Sequence, residues 1–227
     1  MSKDYLETSY IMLGATVEEP GKGVCTAGYS PTLRQLMRIQ RLDPKGVPHR
    51  WSHSKVYLER TDDRRRESWV PYDLPEVTSD PGRLTTPLRK MMNKLDTDLW
   101  TEGISYSNQH KRSLALLNVS MAKLVFEGNP YYDLAHHNDT RKSTKVRCPI
   151  RPRLIFRDVD GEQNLMLRDR GTFEYLRKVR YDPRRENISK ILSLDTPRTL
   201  LIGNMGGLYQ NRWLIISVFP QFTDTGV

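Results

Sequence analysis

Two kinds of side chain in this sequence have types and spacing that could do chemistry: cations at regular intervals, and a few histidines and cysteines. The stretch KVRCPIRPRLIFR, residues 145–157, holds the clearest cation pattern. Its even positions are Val146, Cys148, Ile150, Pro152, Leu154 and Phe156, all apolar. Its odd positions include Lys145, Arg147, Arg151, Arg153 and Arg157. In an extended chain, side chains on one side recur every ~6.6 Å, twice the rise per residue. The segment therefore predicts a strand with one side on a core and a row of cations on the other. Guanidinium groups donate paired hydrogen bonds to phosphate oxygens, and a row at this pitch suits a sugar-phosphate backbone. Pro149 and Pro152 lack an amide donor, which predicts a sheet edge. An edge-protecting charge row, an intramolecular ion-pair face and a contact for an acidic protein are the competing readings.

A second cation set lies upstream. Ser30-Pro31 predicts the start of a helix that runs to about Leu42 and stops before Asp43-Pro44. On that helix Leu33, Leu36 and Met37 share one face, and Arg34, Arg38 and Arg41 share another at i, i+4, i+7. Such a face contacts phosphates or simply sits in solvent beside acidic loops. In DDRRRES, residues 62–68, three arginines lie close in sequence to Trp51, Trp69 and Tyr72, where bases could stack beside charge. Taken alone, that run is a solvated loop. Arg177, Lys178 and Tyr181 sit in a mixed-charge stretch that reads as a salt-bridged surface helix, with Glu174 and Lys178 at i, i+4.

Catalytic chemistry has weaker support. His136-His137, flanked by Asp133 and Asp139, are adjacent residues that diverge in direction, and no second His/Cys cluster has ligand spacing. Cys148 beside arginines could be a nucleophile, but its place on the apolar side predicts a small core residue. GNMGGLYQ, residues 203–210, lacks a phosphate-loop pattern and reads as a turn between strands. No catalytic residue, metal site or cofactor is therefore assigned.

The elements that must position the cations come from periodicity. Helices are predicted over Thr86–Trp100, with Leu88, Met91, Met92, Leu95 and Leu99 inward; over Arg112–Phe126, apolar on much of its circumference; and over Thr172–Arg180. Strands are predicted near Ser9–Leu13, Lys55–Arg60, Lys145–Arg157, Asn164–Leu167, Thr199–Ile202 and Arg212–Phe219, with a hairpin turn at Asp158–Gly161. The expected fold is α+β: a mixed, mainly antiparallel sheet with three to five helices and long Pro-rich loops. It forms a single domain over 1–227 that subdivides, if anywhere, near 130–143.

Charge bounds the partners. The chain carries 36 basic and 27 acidic residues, +9 overall, over 227 positions. Residues 141–157 hold seven basic and no acidic residues, and 34–66 hold ten basic and four acidic ones, so the excess is concentrated in two windows. That concentration fits a local binding surface. No apolar run reaches the ~20 residues of a membrane span. No secretory layout opens the chain. Two distant cysteines, Cys25 and Cys148, give no disulfide framework, which predicts a cytoplasmic protein or one within a particle assembled there. The expectation is a non-catalytic nucleic-acid-binding subunit of a larger assembly, such as a ribonucleoprotein or viral particle, with RNA favoured over DNA. It would grip the backbone through Lys145, Arg147, Arg151, Arg153 and Arg157, with Arg34, Arg38 and Arg41 as a second patch, and other protein subunits as neighbours. The alternatives are a metal-independent RNA-processing endonuclease using His53, His110, His136 or His137 as base, and a structural connector or capsid-type protein with acidic neighbours.

Overall fold

The computed structural model describes residues 5–16, 23–63, 65–79, 99–130, 132, 148–182, 192, 194–205 and 212–220. The first sheet contains β1 (Leu6–Ala15), β2 (Val24–Ser30), β3 (Gln35–Leu42), β4 (His53–Arg60), β5 (Ser68–Pro71) and β6 (Glu76–Ser79). Alternating apolar and polar residues mark β4, HSKVYLER, where Val56 and Leu58 point inward, whereas β1, β2 and β3 are buried at most positions. Strand β2 lies between β1 and β3, β3 runs parallel to β5, β5 pairs with β4, and β4 returns to β1. The circuit closes into a five-stranded Greek-key barrel with the strand layout of the OB type. Closure depends on β1 serving two neighbours: Leu6–Ile11 pair with β4, and Ile11–Ala15 pair with β2. Strand β6 hangs outside the circuit on β4, and all four of its residues are exposed.

The second sheet contains β7 (Trp100–Thr101), β8 (Leu114–Val119), β9 (Ala122–Gly128), β10 (Ile150–Asp158), β11 (Gly161–Leu167), β12 (Arg198–Asn204) and β13 (Trp213–Pro220), in the order β7-β8-β12-β13-β11-β10-β9. Its pairings repeat those of the barrel. Strands β8 and β9 together play the part of β1: β8 pairs with β12, and β9 pairs with β10. Strands β11 and β13 run parallel, as β3 and β5 do. Two α-helices occur among the described residues: α1 (Ile104–Gln109) and α2 (Arg170–Lys178). Helix α2 follows β11 and starts at Asp169, whose carboxylate accepts from the Thr172 amide at 2.8 Å. It buries Thr172, Phe173 and Leu176.

Three large apolar clusters hold these sheets. One fills the barrel, with Tyr10, Met12, Met37, Ile39, Leu58 and Trp69 among its members. A second lies inside the other sheet around Leu117, Leu154, Phe156, Leu200, Ile202 and Ile215. The third is the seam between them. It joins Ile11, Leu13, Tyr29 and Leu36 of the barrel to Leu114, Leu116, Leu201, Ile216 and Phe219 of the second sheet. Strands β1, β8, β12 and β13 thus bury both faces, their alternate residues going to a sheet interior and to the seam. Gly14 lies at a close approach of β1 to β13, where a Cβ would stand 2.8 Å from that of Ser217.

The fold class read from sequence is corrected here: the protein is mostly β, with two α-helices among the described residues rather than three to five. The helix expected over Arg112–Phe126 is the strand pair β8–β9; β8, buried on both faces, is apolar at nearly every position and loses its alternation. The helix expected from Ser30 to Leu42 is a turn at Pro31–Arg34 followed by β3. The helix expected over Thr86–Trp100 lies outside the described residues except Leu99 and Trp100. Helix α2, the six strand positions and the Asp158–Gly161 hairpin turn fall close to their expected places.

The seam makes Gly14 intolerant of any side chain. Gly14→Ala should lower the unfolding free energy by about 1–3 kcal/mol through overpacking, read from urea denaturation of the variant against wild type.

Candidate nucleic-acid interface

Strand β10 shows the alternation read from its sequence. Pro152, Leu154 and Phe156 are buried, while Arg151 and Arg153 are half-buried and Arg157 is exposed on the outer side. Lys145 and Arg147 lie outside the described residues. The edge position inferred from the two prolines is corrected: β10 is flanked by β9 and β11, and Pro152 sits opposite Phe126 of β9. Neighbouring strands hold the arginines in place. Arg151 Nε donates to Asn129 Oδ1 at 3.0 Å. Arg153 Nε donates to Asn164 Oδ1 at 2.6 Å, and its Nη2 to the Asn164 carbonyl at 2.5 Å. Glu127 stands 3.3 Å from Arg153, and Glu162 is cross-strand from Arg157. Lys123 of β9 is exposed opposite Ile155. This is an outward face of oriented guanidinium groups, partly offset by two carboxylates.

Arg34, Arg38 and Arg41 do not form a stripe. With no helix there, Arg34 ends the β2–β3 turn and Arg41 closes β3, roughly 20 Å apart at about 3.3 Å per residue, and both are exposed. Arg38 is withdrawn as a nucleic-acid contact. It shares the seam-facing side of β3 with Leu36 and is 5% exposed. Its Nη2 donates to the carbonyls of Ser113 at 2.9 Å and Asn204 at 3.3 Å, both in the second sheet's half of the protein. Gly203 leaves the space for it: a Cβ there would meet Arg38 Nη2 at 2.9 Å. Burial, with the Arg65 charge nearby, lowers the Arg38 guanidinium to about 10.

The loop DDRRRES joins the same clasp. Arg65 Nη1 donates to the Asn204 carbonyl at 2.9 Å, and Glu67 accepts from the amide and hydroxyl of Ser113 at 3.1 and 2.7 Å. Asp63 anchors Arg65 through an ion pair and accepts from Gln40 at 2.6 Å. Burial would raise the Asp63 carboxyl, but hydrogen bonds from Arg65 and Gln40 and the Arg65 charge outweigh it and hold it well below the usual carboxylate range. Trp51 and Trp69 are buried and cannot stack on bases. Tyr72 is exposed and lies 5.4 Å from Tyr5 in a stacked pair, with Tyr57 edge-on to Tyr5.

The remaining candidates separate. Cys148 is fully buried against Phe173, and burial pushes its thiol up to about 11, so it is a core residue. Tyr181 packs on the same pair. Glu174 pairs with Arg177 at 2.8 Å rather than with Lys178. His53 lies in β4 and His110 closes α1, stacked on Tyr106 at 4.0 Å between ring centres, in different halves of the protein. His136 and His137 lie outside the described residues. Among the described residues no group of three or more His, Cys, Asp or Glu is placed to hold a metal. No helix of the described residues is long and apolar enough to cross a membrane.

Sequence reading missed one feature, a cleft of about 970 Å³ where the β3–β4 connection, α2 and the ends of β1, β12 and β13 meet. Its residues come from five separate stretches, so no local pattern marks it. No protein-family model matches the chain, and no curated protein does. A solved structure described as "Structural mimicry for functional antagonism" aligns over 96% of both chains at 12% identity with a TM-score of 0.39. A likeness of that size carries no argument.

Two outcomes follow from the clasp. Arg38→Met removes the buried guanidinium's hydrogen bonds to the Ser113 and Asn204 carbonyls and should cost about 1–3 kcal/mol in urea unfolding. Asp63 has a folded value below its unfolded one, so its contribution is present above about pH 4 and fades as pH falls below it. Tm should therefore drop on acidification below about pH 4, and drop less steeply in Asp63→Asn.

Proposed function

We propose that the chain is a non-catalytic nucleic-acid-binding subunit of a larger assembly, with RNA favoured over DNA. It would hold the sugar-phosphate backbone against the outer face of β9–β11. The observation that carries this reading is the placement of Arg151, Arg153 and Arg157 on one outward face, two and four residues apart, with Asn129 and Asn164 fixing two of the forks. A guanidinium has five donors, so an arginine oriented by an asparagine can still meet a phosphate. Glu127 and Glu162 limit the bulk charge of this face, which makes geometry rather than net charge its means of binding.

Two further features support the reading. The exposed Tyr5–Tyr72 stack presents an outer ring side to an unstacked base, which single-stranded RNA supplies. Strand β6 is an exposed edge carrying Val77, next to exposed Leu74, and fits contact with another protein subunit. The OB-type strand layout agrees with nucleic-acid binding by analogy alone. The histidines of the described residues do not converge, so a nuclease reading draws no support from geometry.

The test is anisotropy with labelled single- and double-stranded RNA and DNA across a salt series. The triple variant Arg151→Gln, Arg153→Gln, Arg157→Gln should bind all of them more weakly. Its slope of log affinity against log salt should be shallower by about 2. Unchanged binding in a variant with wild-type circular dichroism would overturn the assignment, and cleavage of the labelled strand would replace it with the nuclease.

A further inference from the structure

The cleft at the junction of the two sheets combines charge, apolar surface and an unsatisfied buried group. Lys45 and Arg50 reach it from the β3–β4 connection, Arg170 and Lys178 from α2, and Arg198 from β12. Its two carboxylates are already engaged: Asp169 pairs with Arg50 at 2.7 Å and caps α2, and Glu174 pairs with Arg177. Lys45, Arg170 and Lys178 have no ion pair among the described residues. Lys45 from one part of the fold and Arg170 and Lys178 from another thus converge on one concave space with no ion pair among the described residues. Such an arrangement focuses a positive field and favours an anion.

The walls are not uniformly polar. Met12, Val47, Val218 and Phe219 add apolar residues to the lining, and the Arg50 guanidinium lies 5.4 Å from the centre of the Phe219 ring. Tyr175 is also on the lining, and its hydroxyl is buried with no hydrogen-bond partner. A buried hydroxyl without a partner is costly until a ligand or water meets it. The volume falls within the range of small-molecule sites.

We propose that this cleft binds a small phosphate-bearing ligand with a flat ring body, of the nucleoside phosphate class. The ring packs against the apolar part of the lining, the phosphate meets Arg170 and Lys178, and Tyr175 supplies a hydrogen bond. The proposal is independent of the β10 interface, which lies elsewhere on the second sheet.

Isothermal titration of the full chain with AMP, ATP, inorganic phosphate and adenosine tests it. The expected result is saturable one-to-one binding of AMP or ATP, weaker binding of phosphate, and none of adenosine. Arg170→Gln with Lys178→Gln should weaken AMP binding roughly a hundredfold, about tenfold for each charge-assisted hydrogen bond. Tyr175→Phe should weaken it several-fold, and both variants should keep the wild-type circular dichroism. The triple β10 variant should bind AMP as wild type does, which separates the two sites. No saturable binding of AMP or ATP overturns the proposal. So does equal affinity for adenosine and AMP, or undiminished affinity in the double variant.

Discussion

The seam between the barrel and the second sheet is a layer of side chains that both halves must share. Ile11, Leu13 and Leu36 on one side, and Leu116, Leu201, Ile216 and Phe219 on the other, leave water together. Each such side chain is worth about 1.5–3 kcal/mol when fully buried. An apolar face of this size on either half alone would be exposed and prone to association. Strands β1, β8, β12 and β13 therefore need apolar residues at nearly every position. Gly14 follows from the same constraint, since two strand backbones approach where no Cβ fits.

Hydrophobic burial is non-directional, so the apolar layer alone places the halves through shape and not through directed bonds. The clasp around Arg38 supplies specificity beside it. Arg38 crosses from the barrel to two carbonyls of the other half, Arg65 reaches one of the same carbonyls, and Glu67 takes both donors of Ser113. Directional bonds among buried groups are satisfied in one arrangement only, and any displacement leaves charged or polar atoms unpaired. Arg50 and Asp169 add a second fixed point at the cleft. Dispersion and hydrophobic burial hold the halves together, and the polar contacts determine how they sit.

What could be read from the sequence follows from these constraints. Strand β4 and the outward side of β10 each have one face on a core, so alternation marked them correctly. Helix α2 was legible because its inward residues recur at helical spacing. The doubly buried β8 lost its period-two signature and read as a helix. The segment from Ser30 to Leu42 misled for another reason: Ser30-Pro31 can open either a helix or a turn, and Leu36-Met37 fits a helical face as well as two sides of a strand. Tertiary pairing with β2 and β5 decides the matter, and neither partner is adjacent in the pattern. The β10 prolines misled about the edge, because Pro152 occupies a ladder position between two partner strands. The cleft was illegible because its lining becomes a neighbourhood only after folding.

The same logic bears on how positive charge is read. The windows 34–66 and 141–157 carry the excess, yet their arginines do different work. Arg38 and Arg65 are consumed within the molecule, bonded to carbonyls and to Asp63. Arg151 and Arg153 are held outward by asparagines. The cations of the cleft come from 45 and 50 in the first window and from 170, 178 and 198 beyond the second, and segment charge does not bring these together. Net charge per segment therefore locates arginines without telling which face solvent. A buried arginine loses hydration, is repaid by carbonyls and carboxylates, and has little field left for a partner. An arginine on the outer side of a strand keeps its field and its spare donors. The surface that remains for an anionic partner is set by which side of each strand meets the seam, and the apolar residues beside the arginines determine that side.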